Sequence, residues 1–160
     1  MVVGIADMKM AQYEGMLVTY ALGSCIGICL YDPGLRLAAL VHVMLPLNME
    51  TGRRSPMKYA DTGIRETLRQ MEARGARRSR MVAKIAGGAR MFEVAGGGSL
   101  GNIGQRNIES VHMTLKRFLY QLSSFLERVC FPCFNFFCSQ LLIFCQIGRA
   151  SCRERVCKQV

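Results

Sequence analysis

Two residues of this sequence have the types and the spacing of a nucleophile and its base: Cys25 and His42. They fall in two short apolar stretches, residues 25–31 (CIGICLY) and 35–45 (LRLAALVHVML), separated by Asp32-Pro33-Gly34. In a symmetric hairpin centred on Pro33-Gly34, cross-strand partners have residue numbers summing to 67, and Cys25 and His42 satisfy that rule. Directly opposed side chains share a face, with Cβ atoms about 5 Å apart. A thiol and an imidazole at that separation can hydrogen-bond, which is the arrangement of an activated nucleophile. An imidazolium beside the sulfur would lower its pKa and supply thiolate near neutral pH. The competing reading is two core residues facing each other by chance. Gly23-Ser24, just before Cys25, leave room for a substrate carbonyl and can present backbone N–H groups near the sulfur as an oxyanion hole. An ordinary turn is the plainer alternative there. His112, the second of two histidines, has no acidic or cysteine partner at ligand spacing and is expected at the surface.

The elements that must position this pair can be read from pattern. Residues 16–22 (MLVTYAL) and 25–31 are short, apolar and partly β-branched, and predict buried strands. Pro33 presets φ and Gly34 tolerates a positive one, so residues 32–34 predict a turn leading to a returning strand over 35–45. Pro-Gly is not the dipeptide of a tight two-residue hairpin, which leaves a four-residue loop or a bulge open. Ser55-Pro56 predicts an N-cap with proline at the first helical position. Ala60, Ile64, Leu68 and Met71 repeat at helical spacing, and Gly75 ends that helix. Residues 81–86 predict a strand and residues 107–116 a second amphipathic helix. The order β-β-β-α-β-loop-α implies a mixed α/β or α+β domain.

Bulk properties limit the function classes. The chain has 160 residues, enough for one domain with a core, and carries 21 Lys and Arg against 11 Asp and Glu. That excess attracts phosphate non-specifically. Trp is absent and aromatic residues are sparse before residue 118, so no base-stacking platform is present and nucleic acid is not the expected partner. Residues 1–10 have neither the basic segment nor the apolar run of a secretory signal, so a cytosolic setting is expected. In that setting cysteines are more often catalytic or buried than disulfide-bonded. Gly96–Gly101 fits GxGxxG, but residues 94–95 make a poor strand and no acid stands about twenty positions on, so a dinucleotide is not expected.

The texture changes after Arg117, where seven of the eight Phe and six of the eight Cys fall. Residues 129–147 approach the length of a membrane span, which needs about 20 apolar residues. Pro132, Asn135, Ser139 and Gln140 interrupt them, and no membrane insertion is expected. Cys130-x-x-Cys133 is half of a zinc pattern without its complement. Residues 147–156 (IGRASCRERV) resemble translated sequencing-adapter read-through. The expected organisation is therefore a domain over residues 1–117 and an atypical segment over 118–160 that does not belong to it.

Five blocks carry a family resemblance: VTYALGSCIG (residues 18–27), VHVMLP (41–46), KYADT (58–62), KIAGGARMF (84–92) and NIGQRN (102–107). In this order they resemble the signature blocks of the CheD family, over about residues 1–117. The resemblance implies a β-sandwich of mixed sheets flanked by helices, similar to the deamidating domain of cytotoxic necrotizing factor toxins, with its C-terminal part incomplete. It implies a cytoplasmic hydrolase that converts chemoreceptor glutamines to glutamate without metal or organic cofactor. Its nucleophile maps onto Cys25 and its histidine onto His42. A threonine six residues before the cysteine maps onto Thr19, which spacing alone would leave as a strand residue. The substrates implied are chemoreceptor cytoplasmic domains, and the implied regulatory partner is the phosphatase CheC. The alternative is a catalytically impaired binding protein of chemotaxis. A small membrane-associated basic protein is a further alternative, resting on residues 118–160 alone.

Overall fold

A computed structural model describes residues 1–48, 55–89, 103–119 and the backbone of 143–147. Residues 96–102 of the glycine-rich loop expected over 96–104, the CxxC at Cys130 and Cys133, most of the apolar run at 129–147 and the adapter-like end lie outside the described residues, while residues 103–104 of that loop begin a helix. The strands are β1 (Met8–Gln12), β2 (Gly15–Thr19), β3 (Ile26–Asp32), β4 (Leu37–Val43), β5 (Val82–Gly87) and β6 (Ile143–Ile147); the helices are α1 (Ala60–Glu72) and α2 (Ile103–Leu119). Four strands form one antiparallel sheet in the order β1-β4-β3-β5, and β2 pairs antiparallel with β6. The fold is α+β, as the order of elements implies.

The chain alternates its two apolar faces across this sheet. Ile26, Ile28 and Leu30 of β3 and Leu37, Ala39, Val41 and Val43 of β4 point toward the helices, where Ile64, Leu68, Met71, Val111 and Leu115 close the larger core. The opposite residues, Cys29 of β3 and Ala38 and Leu40 of β4, meet Val3, Leu17 and Leu22 in a second core. A strand covered on both faces reads as an unbroken apolar run, and every residue of β4 is buried. His42 is therefore placed by the alternation of β4 on the second face, away from the helices.

The hairpin register differs from the symmetric expectation. Ile26 pairs with Val43, Gly27 with His42 and Asp32 with Leu37, so partners sum to 69 rather than 67. The loop comprises four residues, 33–36. Asp32 Oδ1 accepts the Gly34 amide at 2.9 Å, an Asx turn, and Arg36 adopts φ 50° before the return strand starts. The Asp32 carboxylate is buried and also accepts the Arg77 amide and two hydrogen bonds from Arg80. Burial by itself would raise its pKa; the Arg80 guanidinium and the two amides overcome that and hold it below the usual carboxylate value.

Other boundaries moved for local reasons. Ser55 stands at the N-cap position and Pro56 at the start of a short 3-10 helix, Pro56–Lys58, without a side-chain capping bond, and α1 starts only after an extended Tyr59. Tyr59 is extended because the chain there bridges to Leu45: Met44 and Leu45 donate to the Lys58 carbonyl, and Ala60 donates to that of Leu45. The expected stripe of Ala60, Ile64, Leu68 and Met71 is fully buried, and Gly75 follows the helix end with φ 89°. Among the described residues no helix is long and apolar enough to cross a membrane.

Candidate active site

His42 is held from three directions. Its backbone N–H donates to Asp7 O and its carbonyl accepts from Ala6 N, so both polar groups face the chain leading into β1. Gly27, opposite it on β3, is then a non-hydrogen-bonded partner, the close type of cross-strand pair. Its ring reaches β2, where Nδ1 lies 2.9 Å from Thr19 Oγ1. Thr19 Oγ1 also donates to the Val3 carbonyl at 2.8 Å. A hydroxyl has one proton, and the Val3 carbonyl takes it. The other contact therefore runs from His42 Nδ1–H to the Thr19 oxygen, which leaves Nε2 with its lone pair free. Both side chains are fully buried, and His42 Nε2 has no hydrogen-bond partner among the described residues. Burial pushes the imidazole pKa below its ordinary value, so the ring is neutral at pH 7.

Thr19 is thus more than a strand residue. Replacing it with valine is expected to lower turnover by about 10- to 100-fold, because the buried Nδ1–H would lose its acceptor and the tautomer its constraint. Thr19→Ser should recover most of the loss; equal turnover in Thr19→Val and the parent would contradict this.

Cys25 ends the loop that leaves β2. Ala21 at φ 52° and Gly23 at φ 49° turn the chain, and the Cys25 amide donates to Leu22 O at 2.7 Å. Left-handed backbone at a non-glycine residue such as Ala21 is costly and often accompanies a functional loop. The Cys25 amide is consequently engaged; the amides of Gly23 and Ser24 donate to no backbone carbonyl among the described residues. On its other side the loop is fixed by the end of β5. Gly88 N donates to Cys25 O and Ala89 N to Gly23 O, each at 2.8 Å. Gly87, at φ 110°, approaches the Cys25 carbonyl so closely that a Cβ would collide with it. These glycines of the KIAGGARMF block carry a backbone role that no periodicity could have exposed.

The half-buried Cys25 side chain packs against the second core, on the sheet face that carries His42. Cys25 lies one residue before β3, and the register sets His42 opposite Gly27, two residues further along the chain. The side chains are not hydrogen-bonded to each other, and Gly27 puts no side chain between them. Burial raises the Cys25 pKa and lowers that of His42. The resting pair is a neutral thiol beside a neutral imidazole, not the thiolate that an imidazolium would hold. His112, expected at the surface, is half-buried on α2, beside the buried stripe that includes Val111 and Leu115. Among the described residues no three His, Cys, Asp or Glu side chains converge to hold a metal.

A neutral thiol, a buried base with an oriented lone pair and unengaged amides at one loop can perform acyl transfer. A family model described as CheD chemotactic sensory transduction matches residues 44–124. A protein of Syntrophomonas wolfei named "Probable chemoreceptor glutamine deamidase CheD" is 48% identical over 115 residues, covering 71% of each chain. The chain belongs to the CheD family. Equally named proteins of Symbiobacterium thermophilum (48% identical, 72% of each chain) and Clostridium botulinum (45% identical, 71% of this chain and 70% of that one) agree. The CheD family model begins two residues after His42, so the match does not rest on Cys25, His42 or Thr19, and it extends to residue 124, beyond Arg117.

Proposed function

We propose that this CheD-family chain is a protein-glutamine deamidase acting on chemoreceptor cytoplasmic domains. His42 Nε2 takes the Cys25 proton, and the thiolate attacks the glutamine side-chain carbonyl. The Gly23 and Ser24 amides hold the tetrahedral oxyanion. The C–N bond breaks as His42 protonates departing ammonia, leaving a thioester. Water deprotonated by His42 then hydrolyses the thioester, which yields glutamate and restores the thiol. Thr19 keeps the imidazole in the tautomer whose free nitrogen is Nε2, the role an acid fills in other triads. No metal or organic cofactor enters these steps.

The single observation that carries this reading is the Val3–Thr19–His42 chain of hydrogen bonds, which leaves a buried, unpartnered Nε2 on the face that bears Cys25. Arg78 pairs with Glu72 of α1, and Arg80 with Asp32 at the opposite end of β3 from Cys25. The setting is cytoplasmic, and a CheC-type phosphatase is the regulatory partner that family membership suggests. Residues 1–117 form the deamidase domain of this proposal and 118–160 an appended segment, within which β6 lies beside β2. The test incubates the protein with receptor cytoplasmic fragments and follows intact glutamine peptides by mass spectrometry. Deamidation raises the mass by about one dalton at particular glutamines; unchanged masses after prolonged incubation would refute the assignment.

A further inference from the structure

The β3–β4 ladder stops at Ile26–Val43, just short of Cys25. Beyond that rung the strands separate, and a side chain from a distant helix enters between them. Asn107, fully buried on α2, donates one Nδ2 hydrogen to Ser24 O at 2.8 Å and the other to Met44 O at 2.9 Å. Ser24 immediately precedes Cys25, and Met44 lies two residues after His42. One amide thus spans the carbonyls at the two places where the chain leaves the sheet on either side of the site. Ser110, one turn further along α2, holds the Pro46 carbonyl at 2.5 Å and fixes the same segment to the helix.

Asn107 is poorly suited to a purely stabilising task. Its Oδ1 is buried without a partner among the described residues, and burying an unmatched acceptor costs stability. An apolar side chain would fill the space without that loss. What it could not supply is a planar pair of donors with fixed spacing. We propose that Asn107 is a positioning residue: by gripping the Ser24 and Met44 carbonyls together, it sets the separation of the Cys25 thiol and the His42 imidazole. This deepens the proposed Cys25–His42 chemistry and rests on it. No hydrogen bond ties the two side chains to each other, so a small change in the spacing of the two segments alters their approach directly, and a misplacement of about 1 Å can cost roughly 100-fold in rate.

The experiment measures the pH dependence of Cys25 alkylation by iodoacetamide, located by peptide mass spectrometry, with each variant held below its melting transition. His42→Asn reports loss of the base. Thr67→Ala reports loss of a buried hydrogen bond elsewhere, the Thr67 hydroxyl to Gly63 O on α1. Asn107→Ala and Asn107→Ser are expected to follow His42→Asn, reacting about tenfold more slowly than the parent at pH 7. Thr67→Ala should overlay the parent. In the deamidation assay the Asn107 variants should lose turnover with KM little changed. Profiles of both Asn107 variants that overlay Thr67→Ala would overturn the inference, whatever the deamidation assay gives. Failure of both to fold would also overturn it, by making Asn107 structural. A parent without deamidase activity would defeat the proposed function while the alkylation profiles still decide the positioning role.

Discussion

Cys25→Ala is expected to abolish glutamine deamidation, by on the order of 10⁴-fold or more, as loss of a covalent nucleophile does in hydrolases that work as a unit. The protein should remain folded. Cys25 lies outside the β3 ladder, its side chain is only half-buried, and its backbone is fixed by Leu22, Gly88 and Gly23-Ala89 contacts that do not involve sulfur. Removing the thiol therefore deletes one small contact with the second core, about 1 kcal/mol of burial at most. Cys29 cannot substitute for it. That thiol is buried within β3 between Leu40 and Lys84, four residues further into the sheet. Cys29→Ala should accordingly keep turnover close to that of the parent. Mass spectrometry of receptor-derived glutamine peptides separates the two variants. Turnover surviving in Cys25→Ala, with circular dichroism unchanged, would remove Cys25 from the mechanism.

The sequence made some parts of this arrangement legible because their physics is local. The stripe of Ala60, Ile64, Leu68 and Met71 repeats every turn and is buried on α1 as expected. Leu37–Val43 is apolar throughout because both faces of β4 are covered. The strand β1 escaped notice for the converse reason: MKMAQ is a half-buried edge strand of weak β-formers, and only pairing with β4 makes it a strand. The register differs by two positions from the symmetric expectation because it depends on the loop. Four residues close the turn, set by the Asp32 side chain and the left-handed Arg36, and a residue sum cannot register either. The shared face survives that difference, since a shift of two preserves the alternation of side chains. Thr19 was accessible only through family resemblance, because its partners Val3 and His42 are 16 and 23 residues away. Asn107 is a more extreme case, 83 residues from Ser24.

The protonation state was also beyond the sequence. Spacing suggests a thiolate–imidazolium pair, but charge separation depends on solvation, and here His42 is fully buried and Cys25 half-buried. Burial disfavours the charged form of each partner, which raises Cys25 and lowers His42. In the proposed mechanism the nucleophile is therefore made during the reaction, by proton transfer to Nε2 as the carbonyl approaches, rather than stored beforehand. Thr19 matters more in this scheme than beside a permanent thiolate. An imidazole in the other tautomer would present N–H to the sulfur and could not accept its proton.

His42→Asn tests that scheme and should have the second largest effect. Asparagine can still donate from its amide toward Thr19 Oγ1, so the buried hydroxyl keeps a partner, but no basic nitrogen remains at the position of Nε2. Loss of a general base costs typically about 10²–10⁴-fold, and the upper part of that range is expected here because the thiol is not ionised beforehand. The pH profile should change in shape as well as height. In the parent, activity falls on the acid side as His42 is protonated, with a midpoint below the ordinary imidazole value of about 6.5, because burial holds the ring neutral. In His42→Asn that limb should disappear, and the residual rate should rise with pH toward the raised pKa of Cys25 as hydroxide replaces the base. Stability moves in the same direction as the lost limb. The unfolded parent takes up a proton at His42 near pH 6.5 and the folded parent only below it, so its stability is full above that pH and declines as pH falls through the folded value. His42→Asn should lose that part of the acid sensitivity, visible as a smaller drop in melting temperature between pH 7 and pH 5. A variant with the parent's acid limb intact would assign the titrating group to some residue other than His42.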